Sequence, residues 1–554
     1  MPVSYTHLDV YKRQIITLDE FPLTYNGKLD NNKLKSICSE HLSSQNDETA
    51  NSDMLEMLLN AAEETIGQKI YPKDNFYAVG GDSIKAIQIS SKLSDRGINL
   101  TVRDILTNPV FDKMALYSVN KETDNKIKSV SAGYITNTPI IKWFLTSVKY
   151  KRKYNQALLF KVSNNLSINR LEEAFGDLTK FHGILNVNLD ATRNMLFYNN
   201  RNSKIECEFI DAENAEISSK NIFNDFEFDL ENEYLLKPFI IKQRDGVYLM
   251  LIANHLIIDG VSWRILADCL IDIMSGKNLE KLNPEVSYKY YAEKYNNYLN
   301  NINPNISYWK RLEDISSKQS FDLSEDVKTY ILTLDESLSF LLANKANLSY
   351  NTNPQDLIIS ALYMTLTAML DVDYVIFESE NHGRDLPFNI DINNTLGWFT
   401  GFYPALIKAP SDADVGYCIM EVKDTLRNSA KYMHEYGYLK FVKESLNIKN
   451  LVKVNYLGQF TAQNRGLILQ QVYFSSEISE DNILEFDILN SEKNIQIIIK
   501  KNIDINVELL MKNLTEKIRT ITDLCINNKE TVYTPSDFGT SEINQQELDE
   551  ILNQ

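Results

Sequence analysis

Cysteine is scarce, with five residues, Cys38, Cys207, Cys269, Cys418 and Cys525, spread over 554 positions. An odd, widely spaced set gives neither a disulfide framework nor a CxxC metal pair, so the expected compartment is reducing and cytosolic (cytoplasmic). Histidine is sparse too, with 6 residues. None has a second His, Cys or carboxylate at zinc spacing, so no metal is expected. Basic residues are outnumbered: 57 Lys and Arg against 75 Asp and Glu give a formal net charge of -18. With that balance, and without a lysine-arginine cluster interleaved with aromatics, the chain repels a phosphate backbone, and nucleic acid is excluded as an expected partner. No apolar run approaches a membrane span and the N-terminus lacks the regions of a signal peptide, so no membrane partner is expected either.

What is present is enough for several packed cores. The hydrophobic fraction is 44%, and the length suggests about three or four domains. The first residues, MPVSYTHLDVYKRQ (1–14), stand apart. VSYTHL and DVYKRQ can be encoded by the two arms of one inverted repeat that resembles a transposon end used in preparing sequencing libraries, so this segment, with His7, is expected to be an artefact and is left out of the fold. If so, the natural protein extends further upstream. Next, IITLDEFPLTYNGKLDNNKLKSI has a strand-like start, a Pro, an Asn-Gly turn and a helical pattern. PLTYNGKLD resembles the final motif of adenylation domains, which implies that 15–40 is the remnant of such a domain and that Lys28 matches the lysine contacting the substrate carboxylate.

From about 50 to 119 the pattern is that of a small all-α unit of four helices. DMLEMLLNAAEETIG, SIKAIQISSKLSDRG and VRDILTNPVFDKMALYS carry apolar residues at helical spacing. Between the first two lies DNFYAVGGDSIKAI, where paired glycines permit a tight turn and Ser83 falls at a helix start. A helix N-terminus stabilises a phosphodiester placed beside it. A bare GGDS reads as an ordinary N-cap. The whole string and the helical pattern resemble a peptidyl carrier domain, which implies a 4'-phosphopantetheine arm on Ser83, added by a phosphopantetheinyl transferase. GGDS with Asp82, where other carriers have GGHS, resembles the carriers that precede epimerization domains.

A polar linker follows at 120–133 (NKETDNKIKSVSAG), of the kind that joins mobile domains. The remainder, 134–545, alternates strands and helices and is too long for one ordinary core, which suggests two layered α/β lobes, about 134–310 and 311–545. TPIIKWF, YNQALLF, NHLIIDGVSWRIL, ESENHGRDLP, TLGWFTGFYP, YGYLKF and VNYLGQF occur in that order. They resemble the ordered motifs of the condensation and epimerization superfamily of nonribosomal peptide synthetases. The resemblance implies a fragment of such a synthetase: adenylation remnant, carrier, then an epimerization domain built of two chloramphenicol-acetyltransferase-like lobes. The implied substrate is an aminoacyl or peptidyl thioester, and the implied neighbours are an upstream adenylation module and a downstream condensation module.

Epimerization removes the α-proton from one face of a carbon and returns a proton to the other, so two proton-transfer groups should flank that carbon. His255, where the apolar run VYLMLIAN gives way to a loop, matches the second histidine of HHxxxDG and is the candidate base. Glu380 matches the first glutamate of EGHGRE, and burial between lobes would raise its pKa so that it carries a proton. Glu378, two residues earlier on the same strand face, differs from it only in motif alignment. Asp259 and Gly260 shape the loop, with Asp259 read as structural. His382 and Arg384 support the second motif, and Trp263 and Trp398 are read as packing. Asn455 and Tyr456 reach the tunnel or the core.

The chain departs from the family at several points: Asn254 stands for the first histidine of HHxxxDG, Asn186 for an arginine, Asn381 for a glycine and Asp385 for a glutamate. Two alternatives therefore stay open, a degenerate domain that only docks the carrier, and a condensation domain that uses His255 in forming a peptide bond.

Overall fold

The computed structural model describes residues 52–552, except 78, 82, 121–130, 164–169, 200, 202, 277–285, 389, 411–412, 460–465, 476–480, 492–493, 529 and 539–542. Segments 1–14 and 15–40, with Lys28, as well as Asp82 and most of 120–133, lie outside the described residues.

The small helical unit contains helices Ser52–Ile66, Ser83–Asp95, Val102–Thr107 and Phe111–Met114, and a short pairing of β1 (Ile98–Asn99) with β2 (Val119–Asn120). Leu58, Ala62, Phe76, Ile87, Leu93 and Phe111 bury the apolar stripes that the sequence shows at helical spacing. The third helix starts on a capping box between Thr101 and Asp104. The turn before Ser83 requires glycine twice: Gly80 has φ +87, and a Cβ on Gly81 would lie 2.5 Å from Phe76.

The larger region begins with β3 (Gly133–Ile135), β4 (Asn155–Val162), β5 (Val187–Asp190), β6 (Met195–Tyr198), β7 (Glu208–Asp211), β8 (Leu236–Gln243) and β9 (Gly246–Asn254). Strand β9 is buried on both faces from Tyr248 onward, which explains its continuous apolar run. The later strands are β10 (Leu323–Thr333), β11 (Val375–Asn381), β12 (Gly401–Ile407), β13 (Leu451–Gln459), β14 (Leu467–Phe474), β15 (Asn482–Asn490) and β16 (Ile495–Ile503). One five-stranded sheet runs β14-β4-β9-β8-β7 and one six-stranded sheet runs β10-β16-β15-β13-β11-β12. Each has its own core, one around Phe160, Leu251 and Leu266, the other around Leu362, Phe377, Phe486 and Leu514.

A boundary at 310/311 assigns β14 to the second lobe, but β14 pairs antiparallel with β4 in the first sheet, with Tyr473 opposite Ala157. Leu467 and Val472 bury in the first core. An alternating strand states its buried face in its sequence but not the sheet it joins.

The two regions touch. Val261, in helix Gly260–Met274, belongs to the core of the small unit. Ser94 Oγ donates to Asp391 Oδ2 at 2.8 Å, Asn393 Nδ2 donates to Ser90 Oγ at 2.9 Å, and Ser91 bonds Asn394.

Candidate active site

His255 opens a single turn of 3-10 helix at the end of β9. Its amide donates to the Tyr154 carbonyl at 3.0 Å, and Trp398 stacks on its ring with centroids 4.0 Å apart. Gln156 Nε2 lies 2.7 Å from His255 Nε2, while Gln156 Oε1 accepts from Trp263 Nε1 at 2.8 Å. Burial pushes the imidazole pKa down to about 4, against opposing backbone groups and Asp259. The ring is therefore neutral at physiological pH.

Asn254 is fully buried. Its Nδ2 donates to the Lys151 carbonyl at 2.9 Å and to Asn155 Oδ1 at 3.0 Å, and its Oδ1 accepts from the Leu256 amide at 3.3 Å. The residue in place of the first motif histidine thus ties the turn that carries His255 to the start of β4.

Asp259 caps helix Gly260–Met274 by accepting from the Ser262 amide at 2.7 Å, and its other oxygen accepts from the Phe399 amide at 3.1 Å. Arg384 donates from Nη1 to the Ile392 and Thr395 carbonyls at 2.6 and 2.9 Å, and from Nη2 to Ser262 Oγ at 3.0 Å. Its guanidinium stacks over Phe399, 4.2 Å from the ring centroid. His382 Nδ1 accepts from the Arg384 amide at 3.0 Å, and burial, reinforced by Arg384, holds its ring down to about 4. Gly383 has φ +66, and a Cβ there would meet the Phe399 carbonyl oxygen at 1.7 Å. Gly260 makes no comparable demand, since the nearest atoms to its Cβ would be 3.8 Å away. Two other departures have local partners: Asn381 Oδ1 accepts from the Gly383 amide at 2.9 Å and Asn186 Nδ2 donates to the Thr179 carbonyl at 2.7 Å.

Glu380, on β11, faces a lysine that its motif did not suggest. Lys453 Nζ, on β13, lies 2.8 Å from Glu380 Oε1. Burial raises the Glu380 pKa and Lys453 opposes that rise. Burial alone would lower Lys453, but Glu380 and Glu485 carry it well above the usual lysine range. Glu378 accepts from Tyr436 Oη at 2.9 Å, which in turn accepts from Lys440 Nζ at 2.9 Å, so the YGYLKF word closes over Glu378 and leaves Glu380 to Lys453. Tyr154 connects the two sides, since its ring stacks beside His255 at 5.6 Å and lies in the field of Lys453 and Glu380.

Asn455 and Tyr456 separate. Tyr456 packs against the second core, on the face of β13 that carries Val452 and Val454, whereas Asn455 has the parity of Lys453. Their side chains leave opposite faces of β13. Tyr456 instead helps line a cavity of about 300 Å³ with Gly80, Gly81 and Lys85 of the small unit and with Phe340 and Asn490. Ser83 is the first residue of the helix beside that cavity. Neither His255 nor Glu380 is among the cavity's lining residues.

Comparison with known families matches residues 138–543 to the condensation domain. The chain belongs to the condensation-domain family. Residues 56–117 match the phosphopantetheine attachment site, which makes the small unit a carrier domain and implies a covalent 4'-phosphopantetheine. The carrier and condensation domains together are those of a nonribosomal peptide synthetase. Bacitracin synthase 2 of Bacillus licheniformis is 27% identical over 97% of this chain and 22% of its own length. Gramicidin S synthase 1 of Brevibacillus brevis is 25% identical over 97% of this chain and 54% of its own length. The chain thus spans between about a fifth and about half of these relatives. Among solved structures, the epimerization domain from the third module of tyrocidine synthetase B superposes with a TM-score of 0.62 at 20% identity, covering 73% of this chain and 99% of that one. The condensation domain of Monacolin K polyketide synthase gives 0.57 at 12% identity, covering 73% and 99%. These likenesses give the two-lobed, chloramphenicol-acetyltransferase-like fold of the condensation domain. Among the described residues, no helix is long and apolar enough to cross a membrane.

Proposed function

We propose that the condensation-family domain epimerizes the α-carbon of an aminoacyl or peptidyl group held as a thioester on phosphopantetheine attached to Ser83. The observation that carries this reading is the convergence of His255, from the end of β9, and Glu380, from β11, on one interior occupied by Tyr154, Trp143 and Trp398. GWFTGFYP, YGYLKF and VNYLGQF, words that resemble those of epimerization domains, supply Trp398, Tyr436 and the strand bearing Lys453.

The tethered thioester makes the α-proton more acidic. His255, neutral because its ring is buried, accepts that proton at Nε2 once the substrate displaces the Gln156 hydrogen bond. Glu380, whose carboxyl burial favours in the protonated form, returns a proton to the opposite face. The cavity bordered by Gly80, Gly81 and Lys85 suits a slender polar arm leaving the start of helix Ser83–Asp95. A phosphopantetheinyl transferase installs that arm, an upstream adenylation module loads it, and a downstream condensation module takes the product.

The test is to load the holo chain with an L-aminoacyl group in deuterated water and analyse the released amino acid. The proposal expects α-deuterium with accumulation of the D-isomer. Dipeptide formation with an added acceptor and no α-exchange would replace it with condensation.

A further inference from the structure

The six-stranded sheet carries a row of alternating charge in direct cross-strand register: Glu378 on β11, Lys453 on β13, Glu485 on β15 and Lys500 on β16. On an outer face such a row would be ordinary cross-strand pairing. Here these residues are only 5%, 7%, 6% and 6% exposed. Buried charges persist only when paired and hydrogen-bonded, and the loss of one partner leaves the rest uncompensated.

Lys453 is the member of the row that reaches toward the first sheet. Its ammonium lies 2.8 Å from Glu380 Oε1, 4.6 Å from the Phe402 ring centroid and 5.4 Å from that of Trp143. Trp143 meets the edges of Tyr154 and Trp398, each at 5.9 Å, and both of those rings stack with His255. One cation therefore sits beside the carboxyl and, across an aromatic wall, near the imidazole.

We propose that Lys453 is a positioning residue for epimerization, fixing the Glu380 carboxyl in place and setting how the exchangeable proton is shared between Glu380 and His255. This rests on the reading of those two residues as the proton-transfer pair. A positive charge works in the same direction on both: it draws the proton off Glu380, against the effect of burial, and it discourages a proton on His255. Glu380 is thereby kept able to both give up and regain a proton in each turnover. Other charges also face Lys453. Glu378 lies directly opposite it on β11, Glu485 and Asp487 project from β15, and Lys500 from β16 neutralises part of that pair. Tyr154 faces it from the first sheet, and beyond Glu378 lie Tyr436, Lys440 and Asp481. Glu378, Glu485 and Asp487 lose the same cation when Lys453 is neutralised, so the charge-retaining Arg variant is the control that ties a change in the pH profile to the lysine's charge.

The experiment follows α-deuterium exchange in the loaded holo chain from about pH 5.5 to 9, for the wild type, Lys453→Met, Lys453→Gln and Lys453→Arg. Removing the cation in the Met and Gln variants is expected to move the midpoint of the profile upward by about one unit or more and to slow exchange about tenfold near neutrality. Arg, which keeps the charge, is expected to hold the wild-type midpoint and recover most of the rate. The Gln variant keeps a donor for Glu380 and serves if Met does not fold. Wild-type midpoints in the neutral variants would make Lys453 merely structural and overturn the proposal while epimerization stands. Absence of α-exchange in the wild type would overturn epimerization itself, and the proposal with it.

Discussion

Gln156 Nε2 donates to Nε2 of His255 at 2.7 Å, because Gln156 Oε1 is already held by the indole N–H of Trp263. A ring nitrogen that accepts carries no proton, so the neutral imidazole bears its hydrogen on Nδ1. Nitrogen-15 spectra of the ring are expected to show the Nδ1–H tautomer near neutral pH, and an Nε2–H signature would contradict the arrangement. Gln156→Leu is expected to slow α-exchange by about tenfold by releasing the ring's orientation.

The departure at Asn254 is expected to be structural and of no advantage to reverse. Asn254 is fully buried and bonded to Lys151, Asn155 and Leu256. Asn254→Ala should lower stability by about 1–3 kcal/mol, through buried groups left without partners. Asn254→His must fit a larger ring into filled space and should cost a similar amount, about 1–3 kcal/mol. Thermal melts check both, and an exchange rate raised above wild type in Asn254→His would contradict this account.

The two motif glycines should differ sharply. Gly383 has φ +66 with the Phe399 carbonyl oxygen 1.7 Å from an added Cβ, whereas a Cβ on Gly260 would meet Arg264 and Leu457 at an ordinary contact distance of 3.8 Å. Gly383→Ala is expected to cost about 3 kcal/mol or more, because a main-chain atom must shift. Gly260→Ala should stay within about 1 kcal/mol. Denaturant melts of the two variants provide the comparison.

Docking of the carrier is expected to depend on Val261, which is 4% exposed and belongs to the carrier's core cluster. Val261→Asp places a charge in that contact and should undock the carrier. Hydrogen exchange should then quicken in helix Ser83–Asp95 with the fold of the large domain intact. Unchanged protection would show that the contact contributes little.

His434 supplies a pH test away from the site. Tyr295 Oη lies 2.9 Å from its Nδ1, and burial pushes its ring down to about 4. The unfolded ring titrates near ~6.5, so between those values the unfolded chain binds the extra proton. This contribution is fully present above the unfolded pKa and is lost as pH falls toward the folded one. Its upper limit is about 3 kcal/mol. His255 and His382 act in the same direction, while the raised carboxyls of Glu378 and Glu380 act against it. In His434→Gln the fall in melting temperature from pH 7 toward 5 should be shallower than in wild type, and equal slopes would contradict the assignment.

Much of the fold was legible in the sequence. The helical periods, the GGDS turn, the continuous apolar run of β9 and the ordered motifs each state a local constraint, and the structure combines them without conflict. The neighbours of His255 and Glu380 were harder to read. Gln156 lies within YNQALLF and Lys453 one residue from the VNYLGQF word, yet neither differs in type from a strand's outward polar residue. The alternation of Glu378 with Phe377, Lys453 with Val454 and Glu485 with Phe486 reads as an apolar face and a wet one. The structure buries the second face under Trp143 of the first lobe and the YGYLKF word of the second, and only cross-strand register reveals that Glu378, Lys453, Glu485 and Lys500 form one row. Register and the crossing of β14 are set by contacts distant in sequence, and a single strand's pattern does not contain them.

The most direct measurement follows α-deuterium exchange from L- and D-aminoacyl carriers separately, in wild type, His255→Ala and Glu380→Gln. Two proton-transfer groups on opposite faces predict that the wild type exchanges both isomers, and that each variant loses exchange from one isomer while the two variants lose opposite ones. Exchange of both isomers at wild-type rate in His255→Ala would contradict the account.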